Sequence, residues 1–174
     1  MGRSLKIPDL ALINNRVIHR AELYMEQIYD FSDSLYRSPD FLYLDAVDPT
    51  ITTNPKMFRT IPYDLNFGTS SSSLDYTAFG VIPVMSTDLF GNRIRTWKFN
   101  VTRYVQHVLT KTQSLYELRL FPAFRFVEQL GIPPGVDFPT PIFINPSIAK
   151  GRIRIGGGNH PTQRMKLRLI YSKL

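Results

Sequence analysis

A chain of 174 residues with 43% hydrophobic content and no cysteine can bury a core of its own, and it cannot be a disulfide scaffold, a thiolate enzyme or a cysteine-held zinc protein. Its 9 tyrosines and 12 phenylalanines favour strands, and its 13 prolines and 10 glycines imply many turns. The net charge of +7 admits an acidic partner, but the cations are spread along the chain. From Arg152 to Lys173 they alternate with apolar residues, as on the solvent face of a strand, so nucleic acid is not the expected ligand.

In chain order, Met1-Gly2-Arg3-Ser4-Leu5-Lys6 lacks the apolar run of a signal peptide, and no segment is long and apolar enough to cross a membrane. Val17 to Ile28 has a period of two, with Val17, Ala21, Leu23 and Met25 on one face and Arg20, Glu22, Tyr24 and Glu26 on the other. That pattern predicts a half-buried strand. Phe41 to Leu44 is a second strand between Pro39 and Pro49. Residues 48–75 are read as irregular, with Gly68 to Ser73 as a mobile loop that lacks the Gly-Lys-Ser/Thr of a phosphate loop. Ala78 to Met85 reads as a short edge strand limited by Pro83.

Trp97, Phe99 and Val101 alternate with Lys98 and Asn100, which places a strand there with Trp97 inward. The period then changes: Tyr104, Val105, Val108 and Leu109 recur at helical spacing. A helix over about residues 102–110 is expected, with Thr102 as its N-cap. Leu115 to Phe121 returns to strand. Residues 122–151 are read as loop-rich, because Pro139, Pro141 and Pro146 interrupt any long strand and Gly131 to Gly135 forms a rigid turn. Two closing strands, Arg152 to Ile155 and Arg164 to Tyr171, flank Gly156-Gly157-Gly158-Asn159-His160-Pro161, a connection expected to need positive φ. With no internal repeat and no linker, residues 1–174 are taken as one domain. The expected fold is all-β: an antiparallel two-sheet sandwich of jelly-roll type with one short helix.

Three segments together carry a resemblance. They are Arg16-Val17-Ile18-His19-Arg20-Ala21-Glu22-Leu23; Trp97 through Gln106, with Phe-Asn-Val-Thr at its centre; and Gly156 through Pro161 followed by Met165-Lys166-Leu167-Arg168-Leu169-Ile170-Tyr171. The chain resembles the C-terminal part of a Bacteroidota family of envelope lipoproteins of unknown function. The resemblance implies a cell-envelope location, outer-membrane associated or at the surface, and a partner that is an envelope or outer-membrane protein. It also implies a longer parent, because family members begin with a lipoprotein signal and an acylated cysteine that this chain lacks. The Phe-Asn-Val-Thr element is similar to one in bacterial surface sandwiches and carbohydrate-binding modules, which makes a glycan the alternative partner.

No residue pattern points to catalysis, and neither a cofactor nor a metal is expected. His19, His107 and His160 lie at spacings unlike those of a metal site. Glu22 and Glu26 sit about 13 Å apart along a strand, too far for a glycosidase pair at about 5–9.5 Å. No Gly-x-Ser-x-Gly elbow is present. The ligand-binding candidates are Tyr24, out of phase with its apolar neighbours and expected to be exposed, and Tyr63 and Tyr76 in the long loops. Residues 48–92 and 122–150 are expected to carry a partner surface.

Overall fold

The alternation around Ala21, Leu23 and Met25 produces β2 (Arg16–Glu26), whose inward residues are fully or nearly fully buried. A computed structural model describes residues 3–5, 10, 15–36, 38–47, 58–61, 64, 76–122, 125–132, 136–143 and 152–173. Of these, 3–5, 34, 76, 125–132 and 136–143 are described by backbone alone. The other strands are β1 (Arg3–Leu5), β3 (Tyr43–Val47), β4 (Phe58–Thr60), β5 (Val84–Thr87), β6 (Arg93–Asn100), β7 (Leu118–Phe121), β8 (Arg125–Ile132), β9 (Val136–Phe143) and β10 (Lys166–Lys173). They form a six-stranded sheet, β1-β7-β3-β4-β8-β9, and a four-stranded sheet, β10-β2-β6-β5. Every pairing is antiparallel except the short β4–β8 contact at Arg59 and Gln129. The all-β, two-sheet architecture is the one expected from the sequence.

The phase of β2 differs from its sequence reading at one end. Arg20 pairs with Ile170 but Ile18 with Tyr171, so His19 is an extra residue in a bulge. A bulge flips every side chain beyond it. Ile18 is therefore buried, and Val17, expected in the core, is exposed.

On β6, Trp97 and Phe99 face inward with no solvent contact, as does Val101 just beyond the strand. The chain then turns into α2 (Thr102–Leu109), which lays Tyr104 and Val105 into the core and packs on β2. The Ile18 amide donates to Gln106 Oε1 (2.7 Å) and the Val101 amide to the Ala21 carbonyl (2.9 Å). Thr102 is not the N-cap. Val101 holds that position, and the Thr102 hydroxyl instead accepts the Ala21 N–H (2.9 Å) and donates to Asn100 Oδ1 (2.6 Å). The freed helix amides are satisfied from far away in sequence. Asp64 Oδ1 accepts from the Arg103 amide (2.9 Å), and Oδ2 from the Tyr104 amide (2.8 Å).

Residues 76–87 depart from the expected Ala78–Met85 strand. A single turn, α1 (Tyr76–Phe79), comes first and β5 begins only after Pro83, which lacks the N–H a ladder needs. Phe79 links the two sheets: its ring meets Phe99 of β6 edge-on at 5.6 Å and Tyr43 of β3 at 6.2 Å. Gly80 follows at φ +93°, and a Cβ there would lie 2.0 Å from the Lys98 carbonyl oxygen. Only glycine allows this approach.

The segment read as loop between residues 122 and 151 contains the β8–β9 hairpin. Pro139 and Pro141 do not prevent it, because β9 is an edge strand of its sheet. Two residues apart, both prolines have ring nitrogens on the same side of the strand, which can be the side without a partner. The expected strand Arg152–Ile155 is only one bridge, Ile155 to Gln27. Gly156 to Gly158 are not at positive φ; Gly156 is required because a Cβ would strike the Gln163 carbonyl.

One ion pair is deeply buried. Asp45 on β3 has no solvent contact and is held by two N–H groups of Arg119, its cross-strand neighbour on β7. The guanidinium also lies over the rings of Phe58 and Phe121, at 3.2 and 4.0 Å from their centroids.

Candidate functional site

The four-stranded sheet turns one face to the core and the other, with Arg20, Glu22, Tyr24, Lys98 and Asn100, away from it. At one end of that outer face, residues 77–84 rise as a wall beside β6. Floor and wall enclose an open cleft of about 690 Å³. Its polar floor comes from His19, Arg20, Glu22, Lys98, Asn100 and Arg103, with Asp64 at the helix N-terminus. Its wall is apolar or backbone, from Ala78 and Gly80 to Pro83 and Val84.

Three side-chain acceptors here bond within the protein. Glu22 Oε1 takes two bonds from Arg20, at 2.9 and 2.6 Å. Asn100 Oδ1 takes the N–H and O–H of Thr102, at 3.2 and 2.6 Å. Asp64 serves the two helix amides, and burial pushes its carboxyl up to about 6 although both amides favour the ionised form.

The sequence-derived tyrosines are placed as follows. Tyr24 is on the outer face, as its phase implied, but it is buried rather than exposed. Lys98 and Lys166 flank it across the sheet, and the Arg168 guanidinium covers its ring at 3.6 Å from the centroid. Its hydroxyl donates to Glu26 Oε1 (2.5 Å), and its phenol pKa is raised, first by burial and then by Glu26. A ring covered in this way is not an open stacking platform. Tyr63 lies outside the described residues, and Tyr76 opens α1 with its side chain outside them. In sequence they adjoin Asp64 and Thr77, which both line the cleft. Arg103, Lys98 and Asn100 went unnoticed as site residues because they read as a solvent face. Asp64 had no signal, since its contact spans 39 residues of irregular chain.

The histidines stand apart. His19 Nε2 meets Ser172 Oγ (3.0 Å), His107 Nδ1 meets Thr112 Oγ1 (2.8 Å), and His160 Nδ1 accepts from the Gln163 amide (3.0 Å).

A second feature lies at the opposite end of the same sheet, where β2 leaves and β5 turns into β6. Gln27, Asp30, Asp33 and Ser38 hold their polar groups in internal bonds. Gln27 Nε2 bonds Asp33 and Ser38, each at 3.0 Å, and Asp30 caps the 3-10 turn Phe31–Ser34 and pairs with Arg154. Arg95 Nη1 ties the segment down through the Pro39 carbonyl and Asp40, each at 2.8 Å. The apolar side chains point the other way: Phe31 is 82% exposed and Leu35 79%. In the β5–β6 turn, at the same end of the sheet, Asp88 binds the amides of Phe90 (2.9 Å) and Asn92 (2.8 Å), Gly91 takes φ +86°, and Leu89 and Phe90 are each 81% exposed.

Comparison with protein-family models, with curated proteins and with solved structures gave no match.

Proposed function

We propose that this chain is a non-catalytic interaction domain of a bacterial cell-envelope lipoprotein, working in an outer-membrane or surface assembly. The observation that carries the reading is the reversed polarity of one end of the sandwich. Gln27, Asp33, Ser38 and the Pro39 carbonyl are spent on internal bonds while Phe31, Leu35, Leu89 and Phe90 stand in solvent. Single exposed apolar residues are ordinary, but two on each of two turns at one end of the same sheet are what a protein partner covers. Leu89 and Phe90 fall within residues 48–92, where a partner surface was expected; Phe31 and Leu35 extend it beyond that segment. Envelope location and lipoprotein parentage rest on the sequence resemblance. Among the described residues no helix is long and apolar enough to cross a membrane.

The test is a Phe31→Ser/Phe90→Ser variant in the native envelope. Both side chains are exposed, so thermal stability should be unchanged, while the assembly seen by native electrophoresis should be lost. An intact assembly carrying the variant would refute the reading.

A carbohydrate-binding module is the second reading. The open cleft supports it, as do Tyr63 and Tyr76 beside cleft-lining positions in sequence.

A further inference from the structure

We propose that β5 is a strand-addition site: an extended segment of the envelope partner pairs with its free edge and runs on over Leu89 and Phe90. The proposal deepens the interaction-domain reading above and rests on it, naming how the partner is held.

The free edge follows from ladder parity. Among the described residues β5 pairs only with β6, at the rim of its sheet. Asp88 donates its amide to the Asn92 carbonyl (3.0 Å), so those two residues form a hydrogen-bonded pair. Bonded and non-bonded pairs alternate along an antiparallel ladder. Ser86–Ile94 and Val84–Thr96 are therefore bonded, and Met85–Arg95 and Thr87–Arg93 are not. The main chain of Arg95 agrees. Its carbonyl accepts from the Gln27 amide (2.9 Å) and its amide donates to Gln27 Oε1 (3.1 Å), both on the side away from β5. Met85 and Thr87 thus turn their N–H and C=O groups outward, about 6.8 Å apart along the strand. Donors and acceptors at that spacing are what a second extended backbone matches.

The side chains leave this edge unguarded. Exposed edges are ordinarily blocked by lysine or another charge. The other rim of the same sheet is blocked in that way, since β10 exposes Lys166, Arg168 and Lys173. Residues 82–87, Ile-Pro-Val-Met-Ser-Thr, hold no charge. Val84 is 58% exposed and Met85 51%, and successive strand residues face opposite sides. An added strand would therefore cover apolar surface on both faces. Pro83, without an N–H, marks where the pairing stops.

The occupant is a partner rather than a second copy. The 4 residues of β5 paired with those of a twin fall far short of the interface size that specific association uses, roughly 20–30 residues a side. A foreign segment that continues past Thr87 meets Leu89 and Phe90 in the turn that follows β5 directly. Strand edge and apolar end then form one surface. The chemistry required of the segment is an extended, proline-free stretch, apolar where it lies against Val84 and Met85.

Met85→Pro tests this in the native envelope. It deletes one outward N–H and leaves the β5–β6 bonds, which run through Val84 and Ser86, in place. Met85→Thr keeps the N–H and shortens the side chain. Native electrophoresis should show the assembled fraction falling at least tenfold for Met85→Pro and little changed for Met85→Thr, with the Tm of both purified chains near that of the natural one. Met85→Lys puts on this edge the kind of guard that β10 carries, at an exposed position that tolerates it; it should lose assembly too, and it decides the matter if Met85→Pro does not fold. Equal losses from Met85→Thr and Met85→Pro would overturn the backbone pairing. Assembly that survives Met85→Pro and Met85→Lys but not Phe31→Ser/Phe90→Ser would overturn strand addition and leave the interaction-domain reading standing. Survival of every variant would overturn both. An assembly containing this chain alone would overturn the foreign strand.

Discussion

Asp64→Asn isolates the most unusual electrostatic feature of the chain. The Asp64 carboxyl caps α2 through the Arg103 and Tyr104 amides, and burial lifts its pKa from 3.8 to about 6. The folded state therefore holds a proton that the unfolded chain releases between those two values. An acid with a raised folded pKa makes the fold more stable as pH falls through 6, and the gain is complete below about 3.8. The full gap is worth about 3 kcal/mol, and about 1.4 kcal/mol of it is reached by pH 5. Asparagine removes the titration, keeps one acceptor for the helix and loses the other, at a cost of about 1 kcal/mol. Urea unfolding followed by Trp97 fluorescence at pH 7.5, 6.5, 5.5 and 5.0 reads the difference. Trp97 is the sole tryptophan and has no solvent contact, so it reports loss of the core. Relative to Asp64→Asn, the natural chain should gain about 1.4 kcal/mol between pH 7.5 and 5. Parallel pH profiles for the two proteins would refute the buried-cap account.

Three further substitutions probe the framework. Val101→Asp places a charge at a position with no solvent contact and should cost more than about 3 kcal/mol, seen as a large fall in Tm. Gly80→Ala combines φ +93° with a backbone clash at 2.0 Å, so a loss of about 2 kcal/mol or more is expected; an unchanged urea midpoint would contradict the close packing of the cleft wall. Arg119→Met removes two charged N–H donors from the buried Asp45 carboxylate and should cost about 3 kcal/mol, part of it recovered when Asp45→Asn is added.

Period and phase carried the parts of this fold that local chemistry controls. The strand with Trp97 and Phe99 and the helix to Leu109 were legible because their periods are local to the sequence, although the groups that hold them, Ala21 and Asp64, lie far away in it. The bulge at His19 was not, because it is defined by where β10 pairs, and that misassigned Val17 and Ile18. The β8–β9 hairpin was hidden by prolines whose cost depends on whether a strand is at an edge, a property of the sheet rather than of the strand. At the cleft, Lys98 and Asn100 carry the sign of a solvent face whether or not a wall stands beside them. Tyr24 was read correctly for its face but not for its burial, since its cover is Arg168, 144 positions further along the chain. The exposed apolar end shows the same limit. Leu89 and Phe90 look like core residues until the turn that Asp88 builds holds them in solvent.

Site-specific photocrosslinking in the native envelope tests the central claim most directly. A photoreactive side chain would replace Phe90 at the apolar end, with Lys111 as control; Lys111 is exposed beyond the C-terminus of α2, at the other end of the sheet. The account expects Phe90 to link to one envelope protein in defined stoichiometry, with the link lost on adding Phe31→Ser, and Lys111 to give no such product. Equal, unspecific labelling from both positions, or links confined to the chain itself, would contradict it.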